Sequence, residues 1–100
     1  MARLQTREVS YWRDKRGHEV DFVLAARRKT PLAIECKWSA GHFDPANLLA
    51  FRTQHPQGEN VVLAHDVTRS FIQRYGTLKV RFESLASFVD RLVASVPQTR

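Results

Sequence analysis

Cys36 is the only cysteine in 100 residues, so no internal disulfide can form and a reducing, cytoplasmic setting is expected. No apolar run approaches the roughly 20 residues that cross a bilayer. The N-terminus carries Arg3 and Arg7 without an apolar core, unlike a secretory signal, so no membrane partner is expected. His18, His42, His55 and His65 share no metal-ligand spacing with one another or with Cys36, which argues against zinc. No serine sits in a nucleophile elbow, and no glycine-rich loop is present to cradle a nucleotide phosphate. Internal repeats and low-complexity segments are absent as well. Negative charge is also scarce: 10 acidic residues face 16 basic ones, a net charge of +6. That imbalance points to an anionic partner, nucleic acid first.

A content of 43% hydrophobic and 26% charged residues places the chain with packed globular proteins rather than disordered ones. Its length fits one domain over residues 1–100, with residues 1–8 and 97–100 expected to be flexible.

The informative stretch runs from Gly17 to Ser39. Glu19-Val20-Asp21-Phe22-Val23-Leu24 and Leu32-Ala33-Ile34-Glu35-Cys36-Lys37-Trp38 both alternate, as strands with one buried face do. The connection Ala25 to Pro31 is short enough for a hairpin. Val20, Phe22 and Leu24 are expected to share the buried face with Leu32, Ile34, Cys36 and Trp38. Glu19, Asp21, Glu35 and Lys37 then share the other face. Two antiparallel registers keep the apolar sets together. One sets Asp21 against Glu35 and Glu19 against Lys37; the other sets Asp21 against Lys37. A one-residue slip would oppose charges to hydrophobics. Carboxylates gathered so closely repel unless a cation compensates, and hard cations such as Mg²⁺ choose carboxylate oxygen. A solvated hairpin face with Lys37 as counter-ion satisfies the same spacing.

Asp21, followed on the next strand by Glu35-x-Lys37, resembles the PD-(D/E)XK nuclease signature, a superfamily that includes restriction endonucleases and Holliday junction resolvases. A narrower resemblance is to the C-terminal domain of unknown function of prokaryotic AAA-type ATPases. It rests on Tyr11-Trp12-Arg13, on Gly17-x-Glu19-Val20-Asp21-Phe22-Val23, and on Ile34-Glu35-Cys36-Lys37. The resemblance implies a restriction-endonuclease-like α/β (α+β) fold: an antiparallel meander, then a β-α-β unit and a C-terminal helix. It also implies catalytic roles for Asp21, Glu35 and Lys37, with Asp21 and Glu35 ligating Mg²⁺ or Mn²⁺ beside the Cys36 carbonyl. One departure is visible. The superfamily core usually opens with a helix bearing a further acid, and Met1 to Glu8 is too short for one. Glu19 is the candidate substitute ligand. The chain reads as the terminal domain alone.

Around this centre, Val9 to Arg13 reads as a short strand with one of Tyr11 and Trp12 in the core and the other outside. Two basic turns, Arg13, Lys15 and Arg16 and then Arg27, Arg28 and Lys29, flank the acidic strands and are candidate nucleic-acid contacts. Asp44-Pro45 opens a helix near 45–54, with Ala46, Leu49, Ala50 and Thr53 on its apolar stripe and Leu48 and Phe51 widening it. Asn60 to His65 is a continuous apolar run, expected as a parallel strand covered on both faces. Val67 to Tyr75 fits a strand or a short helix. Leu78 to Phe82 reads as an edge strand, and Ser84 caps a helix over 84–95 packed through Leu85, Phe88 and Leu92.

Two functions remain open: a metal-dependent phosphodiesterase acting on DNA or RNA, and a non-catalytic nucleic-acid-binding or assembly module belonging to an ATPase. With no opening helix to cover the sheet, a homodimer or docking to the ATPase part is expected.

Overall fold

The computed structural model describes residues 7–26 and 30–94. A meander opens the chain: strands β1 (Arg7–Arg13), β2 (Glu19–Ala26) and β3 (Leu32–Lys37) pair antiparallel in sequence. Helix α1 (Ala46–Gln54) then crosses over to β4 (Asn60–Ala64), which returns parallel to β3. A hairpin of β5 (Phe71–Tyr75) and β6 (Leu78–Glu83) follows, and helix α2 (Leu85–Ala94) closes the described chain. The six strands form one sheet in the order β1-β2-β3-β4-β6-β5, with β4 and β6 parallel. This is the mixed α/β meander and β-α-β architecture expected from the sequence.

The two helices pack on opposite faces of the sheet. Leu48 and Phe51 of α1 meet Val20, Val23, Ala33, Val62 and Val80. Phe88 and Leu92 of α2 meet Leu32, Ile34 and Val61. Successive residues of β3 and β4 therefore alternate between two cores, which is why Asn60 to Ala64 is almost wholly apolar.

A β-bulge corrects the expected faces. Ser10 pairs with Val23 and Trp12 with Val20, so Tyr11 alone opposes Asp21 and Phe22. Two residues against one shift the alternation. Val20 consequently joins Val23 under α1 instead of lying with Phe22 and Leu24. Phe22 is 44% exposed, Cys36 is exposed, and Trp38 is 76% exposed, although all three were expected to be buried. Trp12 is the inward ring, edge-on to Phe51 at 5.3 Å, and Tyr11 the outward one.

Other expectations change for equally local reasons. Residues 7 and 8 belong to β1, while 1–6 and 97–100 lie outside the described residues. Leu48 and Phe51 are the buried apolar residues of α1, and Leu49 is 42% exposed, so the stripe is rotated from the one expected. Residues 71–75 form a strand that takes the sheet edge, leaving β6 in the interior. Ser84 does cap α2, accepting the Ser87 N–H at 3.1 Å, but Leu85 points to solvent.

The rotated stripe buries Arg52. All five of its N–H donors are used: Nε on Asn60 Oδ1, Nη1 on the carbonyls of His55 and Gln57, Nη2 on those of Pro31 and Glu59. Burial still lowers its pKa to about 10. Gly58 passes this knot at φ 135°, where an added Cβ would lie 2.1 Å from the Pro31 carbonyl oxygen. Replacing Arg52 with leucine strands those acceptors and should cost about 3 kcal/mol. Gly58→Ala should cost about 2 kcal/mol or more through clash and backbone strain. Urea midpoints compared with the parent, at unchanged slope, check both.

Candidate metal and nucleic-acid site

The ladder between β2 and β3 pairs Phe22 with Ile34, Val23 with Ala33 and Leu24 with Leu32. This is the register whose continuation sets Asp21 across from Glu35. At that point the ladder gives way to a side-chain bond, and Asp21 Oδ2 accepts the Cys36 N–H at 2.8 Å. The bulge thus leaves Asp21 exposed at the strand margin, with its carboxylate folded onto β3.

Glu35 lies on the α1 side and is only 2% exposed. Its Oε1 accepts a long bond, 3.3 Å, from Asn47 Nδ2 in the first turn of α1. Its Oε2 is buried and has no hydrogen-bond partner. Burial is the main force raising its pKa to about 7. Lys37 and Asn47 oppose the rise, and negative charge on Asp21 and Asp44 adds to it. A carboxyl group half-protonated at neutral pH, with one oxygen unmatched, is a rare and costly arrangement in a folded protein.

Asn47 had no place in the sequence reading, and Asp44 entered it only as the start of the helix. Asn47 also accepts the Glu19 N–H at 3.2 Å, so it ties β2, β3 and α1 together. Asp44 accepts the Ala46 N–H at 2.9 Å, starting the helix while contributing to the field at Glu35. The available signal was their position, just after Glu35-x-Lys37 on the turn that enters the crossover helix.

Glu19 does not join Asp21 and Glu35 on one face, which corrects the expected three-carboxylate cluster. Its neighbour Val20 points under α1, and the Glu19 carboxylate instead accepts the Tyr11 hydroxyl. Among the described residues no group of three His, Cys, Asp or Glu side chains is arranged to hold a metal. The remaining donors nevertheless suit Mg²⁺ or Mn²⁺. These ions need only one or two carboxylates because they keep several waters, and Oε2 of Glu35 is a hard oxygen without a partner.

Arg13, Lys15 and Arg16 stand exposed around the β1–β2 turn. Asp14 shapes that turn, accepting the N–H groups of Arg16 and His18 at 2.9 Å and meeting His18 Nδ1 at 2.8 Å. Gly17 completes it at φ 89°. The second basic turn, Arg27, Arg28 and Lys29, lies outside the described residues.

A family model described as a domain of unknown function, DUF4143, matches residues 1–82. The chain belongs to that family. DUF4143 is associated with the C-terminal regions of AAA-type ATPases, in agreement with the narrower resemblance. No curated protein and no solved structure matches this DUF4143 chain.

The raised pKa of Glu35 makes a pH prediction. Between about pH 4.5 and 7 the folded protein holds a proton that the unfolded chain has released, so stability must fall as pH rises through that window and level off above it. The difference is about 3 kcal/mol without divalent cation. Glu35→Gln should remove it, leaving the variant more stable than the parent at pH 8 and little different at pH 4.5. Urea denaturation of both proteins at the two pH values, in EDTA, measures the effect.

Proposed function

We propose that this DUF4143 domain is a metal-dependent phosphodiesterase of PD-(D/E)XK type acting on DNA or RNA. The observation that carries the proposal is the unpartnered, buried Oε2 of Glu35, with the charges of Lys37 and Asp21 acting on the same carboxyl group. Asp21 and Glu35 would hold the Mg²⁺ or Mn²⁺. A bound divalent ion neutralises phosphate charge and makes a bound water more acidic, hence more nucleophilic. The protein's own part is positioning. The Cys36 N–H fixes the Asp21 carboxylate, and Asn47 fixes one oxygen of Glu35 so that the other stays available. Lys37 brings an ammonium to the same end of β3, where it stabilises charge growing on the phosphate. Arg13, Lys15 and Arg16 add an exposed cationic turn for the backbone of the bound strand.

A second reading is a non-catalytic assembly module. It is favoured by Leu85, Val89 and Val93, which recur at helical spacing along α2 and are 63%, 44% and 60% exposed. The family's association with ATPases supplies a partner for such a face. Metal dependence separates the two readings.

In the first reading Mn²⁺ at millimolar concentration raises the parent melting temperature, and more at pH 8 than at pH 6, because Glu35 must lose its proton to bind. Asp21→Asn abolishes the shift together with any cleavage. Lys37→Ala keeps the shift and lowers turnover by about a hundredfold, as loss of one transition-state contact does. A parent melting temperature indifferent to Mn²⁺ leaves the assembly reading in possession of the domain.

A further inference from the structure

The C-terminal edge of β3 and β4 carries a second built feature that the metal site does not use. Trp38, the residue after Lys37, is 76% exposed, yet its ring is stacked on His65 at 4.6 Å with the planes 23° apart. The backbone fixes the pair, since the His65 N–H donates to the Trp38 carbonyl at 3.2 Å. The next residue on each side is clasped as well. Asp66 accepts the Ser39 hydroxyl at 2.8 Å and the Ala40 N–H at 2.9 Å, and these bonds hold its carboxyl below the usual range. Two exposed rings are therefore braced from both segments, with most of the indole surface open to solvent.

We propose that the Trp38–His65 pair is a stacking platform for an unpaired nucleobase, and that the strand brought to Asp21, Glu35 and Lys37 is single-stranded. The proposal deepens the phosphodiesterase reading and rests on it for the identity of the ligand. Three features point to a base rather than to a protein side chain. The platform is flat and aromatic, and every base offers it a π-face. Trp38 directly follows Lys37, the last residue of β3, so the platform stands at the strand end that carries the ammonium. Duplex DNA cannot use it, because the faces of paired bases are covered by their neighbours in the stack. The rigid bracing also means that little side-chain entropy is lost when a base settles on the ring.

The test uses the whole chain and its own fluorescence. Trp12 is packed on Phe51 and gives a background, so quenching reports on Trp38. Titration with oligothymidylate of a dozen nucleotides, in EDTA, should quench the parent, and a duplex of equal length should not. Trp38→Leu should weaken oligothymidylate binding about tenfold, followed by a labelled strand, as loss of one stacked base does. Trp38→Phe should recover most of the affinity, and His65→Ala should lose part of it. Because the ring lies outside both cores, these variants should melt with the parent.

Cleavage in Mn²⁺ is measured on the same strands to keep the two claims apart. Quenching and a Trp38 dependence without any cleavage uphold the platform and overturn the phosphodiesterase reading. Equal cleavage of single and double strands, unchanged in Trp38→Leu, upholds the phosphodiesterase and overturns the platform. Equal quenching by duplex and single strand, or Trp38→Leu binding as tightly as the parent, also overturns it.

Discussion

The saturated guanidinium of Arg52 is the interaction on which the arrangement of the chain depends. It sits where α1 ends and collects acceptors from three places: the residue before β3, the connection from α1 to β4, and the first residue of β4. Asn60 passes the connection on to β6 by donating to the Lys79 carbonyl. One end of the crossover is thus fixed against the N-terminal ends of the parallel strands. With that end fixed and Leu48 and Phe51 buried, the start of the helix has little freedom over the sheet. Asn47 meets Glu35 there. The geometry at Glu35 is in this sense set by a cation at the other end of the helix.

The β2 bulge is the second constraint, and it acts on chemistry through alternation. A regular β2 would carry Val20 and Phe22 on one face and pull Asp21 into line with Val23. The extra residue opposite Tyr11 lets Val20 fill the α1 core and turns Asp21 outward to bind the Cys36 N–H. Glu19 then falls on the other side, where Tyr11 takes it. The acidic group is smaller than an unbroken alternation would make it, and more asymmetric: one carboxylate exposed, one buried.

Much of this was legible in the residues. Alternation in 19–24 and 32–38 gave both strands and narrowed their pairing to two registers, one of which the structure adopts. Asp44-Pro45 and Ser84 gave the helix starts, and the unbroken apolar run at 61–64 gave a doubly covered strand. Two things could not be read. A bulge leaves no mark in the hydrophobic pattern here, because Val20, Phe22 and Val23 are apolar whichever way they point. Arg52 looks like any exposed helix cation in sequence. Only the convergence of carbonyls from Pro31, His55, Gln57 and Glu59 makes its burial tolerable, and that convergence is tertiary. The surroundings of Glu35 were legible only in part for the same reason, since Glu19 bonds Tyr11 instead and Asn47 reaches Glu35 through a contact distant in sequence.

Comparison among the buried charges bears most directly on function. Besides Arg52, two glutamates in the described sheet lie in the interior, and the protein treats them in opposite ways. Glu83 is fully buried and receives Ser87 Oγ at 3.0 Å and the Arg91 guanidinium at 2.7 Å. Burial works to raise its pKa, and those partners outweigh burial, so it stays below the usual range. Glu35 has a single long bond from an amide, two further carboxylates in its field, and an oxygen with no partner. The fold is plainly able to neutralise a buried carboxylate where only stability is at stake. Under the proposed reading, an uncompensated Glu35 on β3, two residues from a lysine and with an aspartate in its field, would belong to a site that a ligand completes. A divalent cation would meet that need, because it would supply the missing charge and occupy the unmatched oxygen in one step.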